Sequence, residues 1–401
     1  MNQTRHAGIW TIEDRCESTL QYLPFNVPQG TGALRVELDF DRSGAVLDLG
    51  CMGPSGFRGW SGGARRFFVI GADSATPGYL YGEPEPGTWF AVVGLHQIPS
   101  DGVKYELTAT TAGVRAPVGS GHVPPVTERP PRRDLPAQAG MRWLAGDLHA
   151  HTVHSDGAMT VQELARYAAS RGLEFLAVTD HNTISHHVEL PAAAATHGIT
   201  LLPGQELTTE RGHANVFGDV GWIDFREPPD EWLARAELEG GLLSVNHPYG
   251  GQVSWTAPMV RRPPLLEVWH WSWLDPHWTM PLGWWLAWHP DAIAVGGSDW
   301  HRPGSDAPPG APTTWVQSED TGQEAVLDGL AAGRVSVSAG RSGPVLLRVD
   351  GELLACDADG AILAGPDGPK SRVRGELASF PGDEGHHRLV DPGGAILALT
   401  T

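Results

Sequence analysis

The chain has 401 residues, 41% of them hydrophobic, which is enough for two or three domains with a sizeable core. Its 28 basic against 47 acidic residues give a net charge of -19, which argues against nucleic acid or an anionic membrane as the main partner. Cys16, Cys51 and Cys356 are too few and too scattered for a disulfide scaffold, and no apolar run approaches the roughly 18 residues of a membrane span.

The N-terminus shows no basic region followed by an apolar stretch, so no signal peptide is expected and the cytoplasm is the expected location. Residues 1–112 read as all-β. Ala33 to Phe40, Ala45 to Leu49, Arg66 to Ile70, Trp89 to Val93 and Val103 to Thr108 are short, rich in β-branched or aromatic residues and bounded by turn formers or small residues. A β-sandwich is the expected form. From 113 to 140 six prolines accumulate with little apolar periodicity, as in an extended linker.

From 141 to 341 strand and helix alternate, predicting an α/β barrel, closed or nearly so. Trp143 to His151 is a strand ending in polar residues. A helix starts at Thr160, which with Glu163 has the spacing of a capping box, and it ends near Gly172. Leu173 to Thr179 is a buried strand, and similar strands end at Leu202, Val245, Val268 and Val295. Helices fill Pro229 to Glu239 and Gln323 to Ala332. Residues 342–401 return to short strands and Gly/Pro turns, a small β-rich extension.

Five polar clusters sit in the barrel segment, most of them directly after an apolar strand: DLHAHTVHSDG (147–157), TDHN (179–182), GQE with GH (204–213), NHPY (246–249) and GSDWH (297–301). Barrel enzymes build their sites from the residues just past the C-terminal ends of their strands. Side chains at i and i+2 of a strand share a face, so His149 with His151, and Asp299 with His301, can each grip one ion. Glu206, His213, His247, His181 and Asp156 complete the set. An all imidazole-and-carboxylate mixture suits Zn, Mn or Fe and lacks the thiolates of a structural zinc site. Asp180 alternates away from His181 and reads as a supporting hydrogen-bond acceptor; His154 lines the pocket or orients a ligand. His186 and His187 read as solvated, and His270 and His289 as packing residues.

The series DLHAHTVHSDG, TDHN, PGQE, GH, NHP and SDWH resembles the polymerase-and-histidinol-phosphatase (PHP) superfamily of metal-dependent hydrolases over about residues 143 to 340. In the N-terminal region, GWSGGAR (59–65), ATPGY (75–79) and DLG (48–50) look like the sandwich domain preceding the PHP domain in the CehA/McbA branch, which includes carbamate-cleaving esterases. The resemblance implies an α/β fold, a distorted seven-stranded (β/α) barrel preceded by the sandwich, and a centre of two or three divalent ions. It assigns one ion to His149, His151, Glu206 and Asp299, a second to Glu206, His213 and His247, and a third to Asp156, His181 and His301. Asp156 stands where some family members have a His.

The expected reaction is hydrolysis by a metal-bound hydroxide, foremost of a phosphoester, with His154 or Asp180 moving protons and Arg211 and Arg302 near enough to meet an anionic group. Bound cations make an anionic substrate compatible with the acidic chain. A carboxylic or carbamic ester is the rival substrate, since the Trp-rich WHWSW and GWWLAW could wall an apolar pocket. The expected partner is thus a small anionic or aromatic ester. From another class stands a non-catalytic binding protein in which metal only stabilises the barrel.

Overall fold

A computed structural model describes residues 3–115, 117, 122–270, 273, 275, 277, 279–304 and 307–401, apart from the side chain at 252. The chain divides into two compact units. The first comprises Met1–His122 with Val153–Asp156 and His181–His186; the second comprises Val123–Thr152, Gly157–Asp180 and His187–Thr401.

The first unit contains β1 (Gln3–Trp10), α1 (Ile12–Glu17), β2 (Leu20–Val27), β3 (Ala33–Phe40), β4 (Val46–Gly53), β5 (Gly56–Trp60), β6 (Phe67–Gly71), β7 (Gly87–Gln97) and β8 (Val103–Thr110). They form two four-stranded antiparallel sheets, ordered β1-β8-β3-β6 and β2-β7-β4-β5. Alternate residues point inward: Val36, Leu38 and Phe68 from one sheet meet Leu47, Leu49, Trp89 and Val93 from the other in one apolar core. The GWSGGAR and ATPGY motifs hold the two short segments that join this unit from further along the chain. Arg65 donates to the carbonyls of Val153 and Ser155, the Gly78 N–H donates to Ser185 Oγ at 3.0 Å, and Thr183 Oγ1 donates to the Gly78 carbonyl at 2.9 Å. Only glycine fits at 78: its φ is +99°, and a Cβ there would come 2.8 Å from the carbonyl oxygens of His154 and Trp60.

The second unit contains β9 (Arg142–Asp147), α2 (Val161–Ser170), β10 (Phe175–Val178), α3 (Leu190–His197), β11 (Thr200–Thr209), β12 (Gly212–Phe217), α4 (Pro229–Leu238), β13 (Leu242–Val245), β14 (Leu265–His270), α5 (Met280–Trp288), β15 (Ile293–Gly297), β16 (Thr313–Ser318), α6 (Gln323–Ala331) and β17 (Val335–Ser338). After them come β18 (Val345–Val349), β19 (Glu352–Cys356), β20 (Ile362–Gly365), β21 (Gly368–Arg372), β22 (Leu377–Pro381), β23 (His387–Val390) and β24 (Ile396–Thr400). The α2 capping box forms, with Thr160 and Glu163 each bonding the other's backbone N–H, a device worth about 1 kcal/mol. The apolar stripe of α2, Val161, Leu164, Ala165 and Ala168, is fully buried.

The second unit has an α/β fold, and its main sheet runs on past the seven strands that the resemblance implies. Seven neighbours, β15-β14-β13-β12-β11-β10-β9, continue through β16 and β17 into a sheet of thirteen described strands. Within the seven, β12 runs antiparallel to both neighbours because it is the return arm of a hairpin with β11. The extensions of β9 and β15 meet at a parallel bridge between Ala150 and Trp300. The C-terminal residues are also less separate than expected, since β24 pairs with β17 and carries β23, β20 and β21 into the same sheet. No helix among the described residues is long and apolar enough to cross a membrane.

Candidate metal centre

Regular pairing in β9 stops at Asp147, and the next four residues carry the first two histidines into the centre. Asp147 makes that exit rigid. It is fully buried, and its carboxylate accepts the N–H groups of His149 (3.1 Å), Ser298 (3.0 Å) and Gly310 (2.8 Å), binding the end of β9 to the chain beyond β15. Burial pushes its carboxyl upward against those three bonds. Glu206 lies inside β11 and His213 inside β12. In that hairpin Thr208 pairs with His213, and Glu206, two residues from Thr208, shares its face, so the hairpin sets Glu206 Oε1 3.1 Å from His213 Nδ1. His247 and Asp299 follow β13 and β15 with left-handed backbone, φ +24° and +47°, a conformation uncommon for residues with a side chain and often found where function holds it.

These side chains converge. His149, His151, Glu206 and Asp299 offer ligand atoms that all lie within 4.8 Å of one another. Asp299 Oδ1 is 3.1 Å from His149 Nε2 and 2.9 Å from His151 Nε2. Glu206 divides its two oxygens. Oε1 faces His149, His213 and His247 at 3.2, 3.1 and 3.4 Å, and Oε2 faces His151 at 3.5 Å. Asn246 Nδ2 donates to Oε1 at 3.0 Å and steadies it. Burial by itself would lower the His149 pKa, but Asp299, Glu206 and Glu267 around it hold it well above the usual imidazole value. Burial would raise Asp299, yet His149, His151 and His270 hold it well below the usual carboxylate range.

The donors fit divalent cations. Glu267 is 2% exposed, and the surrounding imidazoles keep it ionised against the burial that would raise it. An ionised carboxylate only accepts, so His149 Nδ1 must donate across the 2.9 Å to Glu267 Oε1. That fixes the His149 tautomer and turns the lone pair of Nε2 inward. Nε2 is buried, makes no hydrogen bond, and has two carboxylate oxygens within 3.2 Å. A carboxylate behind an imidazole whose other nitrogen faces further carboxylates is the arrangement of a metal-ligating histidine. Glu267 Oε2 also accepts the His247 N–H at 2.9 Å, so one side chain orients two candidate ligands. The space is made by Gly297, where a Cβ would lie 2.3 Å from Glu267 Oε1 and 2.5 Å from His149 Cβ.

Other expectations need correction. His270, read as a packing residue, belongs to the cluster: Nε2 is 3.2 Å from Asp299 Oδ2, and it groups with His149 and His247. A β-bulge between Glu267 and Trp269 brings Glu267 and His270, three apart, to one side of β14. His186, read as solvated, is fully buried, and His187 is partly buried with Nε2 2.9 Å from the Gly204 carbonyl. Asp180 is fully buried, and its two oxygens accept the Thr152 N–H (2.8 Å) and hydroxyl (2.7 Å). It holds the loop after His151 in place, which leaves little of it for proton transfer. Arg211 and Arg302 are exposed.

His301 stacks on His151 with ring centroids 4.2 Å apart, and its Nδ1 is 2.8 Å from the Asp299 carbonyl. Asp156 and His181 belong to the first unit, 3.6 Å apart, with Asp156 exposed and His181 half-buried. His154 belongs there too. It is buried, with Nδ1 2.7 Å from Ser185 Oγ and accepting the Gly78 N–H at 3.4 Å. Of the Trp-rich stretch, Trp273 is buried and Trp271 lies outside the described residues.

Residues 147–248 match the family model of the PHP domain. An uncharacterized protein of Methanocaldococcus jannaschii is 29% identical over 119 residues, 26% of this chain and 68% of that protein. The 3',5'-nucleoside bisphosphate phosphatase of Chromobacterium violaceum is 43% identical over 99 residues, 25% of this chain, and the match spans only 32% of that enzyme. Among solved structures, a two-domain protein from Bacteroides vulgatus containing a predicted PHP-like metal-dependent phosphoesterase aligns over 69% of this chain and 99% of its own, with a TM-score of 0.44 and 16% identity. The HxH pair, Glu206, His213 and His247 all lie within the matched segment, and this segment of the chain is a PHP domain.

Proposed function

We propose that the protein is a metal-dependent hydrolase, foremost a phosphoesterase, with two or three divalent cations (Zn, Mn or Fe) at this centre. The observation that carries the reading is Glu206: its carboxylate lies within 3.5 Å of His149 and His151 and equally of His213 and His247, so one side chain would reach both ligand sets. His149, His151 and Asp299 serve one ion and His213 and His247 the other. A third ion with Asp156, His181 and His301 rests on the sequence pattern. We read the seven-strand run from β9 to β15 as the PHP-type barrel around them, and the cytoplasm as the location.

Bound divalent ions supply an activated water at neutral pH and offset charge that develops on the reacting centre. The chain's own part is to aim the imidazole nitrogens at one another's carboxylate neighbours and to keep those carboxylates ionised. Glu267 does this for His149 through the Nδ1 hydrogen bond and sets the His247 backbone. Asp147 and Asp180 keep the loop bearing His149 and His151 from moving. The bisphosphate phosphatase likeness favours a phosphoester substrate.

A second reading, an aromatic or carbamic ester, rests on the sequence pattern, and the cleft beside His247 and His270 walled by Tyr249, Trp273 and Pro281 holds only about 20 Å³. The test is turnover of p-nitrophenyl phosphate, bis-p-nitrophenyl phosphate and 1-naphthyl N-methylcarbamate by metal-loaded protein, with Glu206→Gln alongside. Phosphoester turnover that disappears in the variant supports the leading reading, and carbamate turnover alone supports the second. Full metal occupancy without turnover of any of the three leaves a binding protein.

A further inference from the structure

A cavity of about 620 Å³ opens at the N-terminal ends of β10 and β11, the ends opposite the histidine cluster. From Glu174 beside it to Asp180 at the far end is six residues, about 20 Å of extended chain. Three arginines line the cavity: Arg129 and Arg132 from the proline-rich stretch before β9, and Arg341 after β17. The one acid among the lining residues is Glu174, so the walls carry three positive charges against one negative in a chain whose net charge is -19.

The arginines are held in place but not used up. Arg132 Nε pairs with Glu174 Oε1 at 2.5 Å, Arg129 donates to the His197 carbonyl, and Arg341 donates to the Pro131 carbonyl. Each guanidinium carries five N–H donors, more than these contacts engage; Arg341 Nε is buried with no hydrogen-bond partner. Glycine makes room for the flat groups, since a Cβ at Gly172 would come 2.9 Å from the Arg341 guanidinium carbon. The proline-rich stretch is itself tied down, with Arg133 donating to the carbonyls of Arg341 and Gly343 at 2.8 Å each. The cavity is thereby preformed. Its far wall is the start of α6, where Gly322 and Gln323 line the space and the Asp320 carboxylate accepts the Thr321 and Gly322 N–H groups.

We propose that this cavity is a binding site for a small polyanion, a molecule bearing a phosphate or several carboxylates, separate from the metal centre. Planar guanidinia that present paired N–H groups recognise phosphate and carboxylate oxygens alike. Barrel enzymes place their chemistry at the other end of the strands, so the ligand here is an effector. Glu174 gives it a route to the centre: it pairs with Arg132, and its other oxygen accepts the Ala145 N–H at 3.1 Å in β9, the strand that leads to His149.

The test is isothermal titration of the full-length protein with inorganic phosphate and, separately, with tricarballylate, at low and high NaCl. Binding of either is expected, weakening with salt, and falling about tenfold or more in Arg129→Gln and in Arg341→Gln. Arg129→Lys retains part of it, and Glu206→Gln, which disturbs only the metal centre, leaves it unchanged. Phosphate alone binding identifies a phosphate-type effector, and tricarballylate alone a polycarboxylate. Thermal melts establish that the variants fold; if Arg341→Gln does not, Arg129→Gln and Arg132→Gln decide. No heat with either anion up to about 10 mM overturns the proposal. So does binding that survives the arginine variants but is lost in Glu206→Gln.

Discussion

Replacing Glu267 by Gln keeps shape and volume and removes one charge, at a residue that orients two candidate ligands. In the native chain both oxygens accept, Oε1 from His149 Nδ1 and Oε2 from the His247 N–H, each at 2.9 Å. A Gln side chain has one acceptor and one NH₂ group, so it satisfies one of these donors and faces the other with a donor. If the NH₂ meets His149, the ring must shift its proton to Nε2, where it blocks a ligand position. If the NH₂ meets His247, the backbone N–H that sets that ring loses its acceptor. Either way about one charge-assisted hydrogen bond is lost, on the order of 1.5–3 kcal/mol. Losing a carboxylate behind a metal-bound imidazole costs about 10–100-fold in metal affinity, on the order of 1.4–2.8 kcal/mol, and the two figures agree. Competition with a chelator of known affinity, read by elemental analysis, measures the change, and hydrolysis at saturating metal measures what is left. Glu267→Gln protein that holds metal within about twofold of wild type would falsify the role given to this carboxylate.

Gly297→Ala places a methyl group 2.3 Å from Glu267 Oε1 and 2.5 Å from His149 Cβ; the expected cost is about 1–3 kcal/mol of stability with reduced metal content, and an unchanged melt with full metal content refutes the close packing described. Glu206→Gln removes the carboxylate shared by four imidazoles, and elemental analysis is expected to show at least one ion fewer per chain with hydrolysis abolished; full occupancy contradicts the bridging assignment. In chelator-treated protein the pH dependence of stability has a defined sign. His149 is held well above 6.5 by Asp299, Glu206 and Glu267 against the lowering effect of burial, so its contribution is complete below pH 6.5 and is lost as pH rises through the raised value. Asp299 is held well below 3.8 by His149, His151 and His270 against burial, so its contribution is present above pH 3.8 and is lost as pH falls through the lowered value. Urea denaturation should therefore find the stripped protein most stable between about pH 4 and 6.5, and a midpoint that climbs steadily above that range contradicts the assignment. Thr160→Ala removes the α2 cap at a cost of about 1 kcal/mol, and a change below about 0.3 kcal/mol shows that tertiary packing alone sets the start of that helix.

The primary structure by itself determined which imidazoles and carboxylates make up the cluster, because they come in short motifs at fixed spacings. His149 and His151 share a face two residues apart, Asp299 carries its ligand oxygen just past β15, and the apolar runs before them announce the strands that deliver them. The start of α2 was equally local, since a capping box acts within four residues. What only the tertiary structure decided came from pairing between distant segments. The β11–β12 hairpin turns Glu206 toward His213, the bulge in β14 brings Glu267 and His270 to the same side, and Asp147 spans from β9 to the chain around Ser298 and Gly310. Strand register, bulges and the reach of a carboxylate to backbone some 150 residues away are set by the packing of the whole sheet. No short window of sequence contains them.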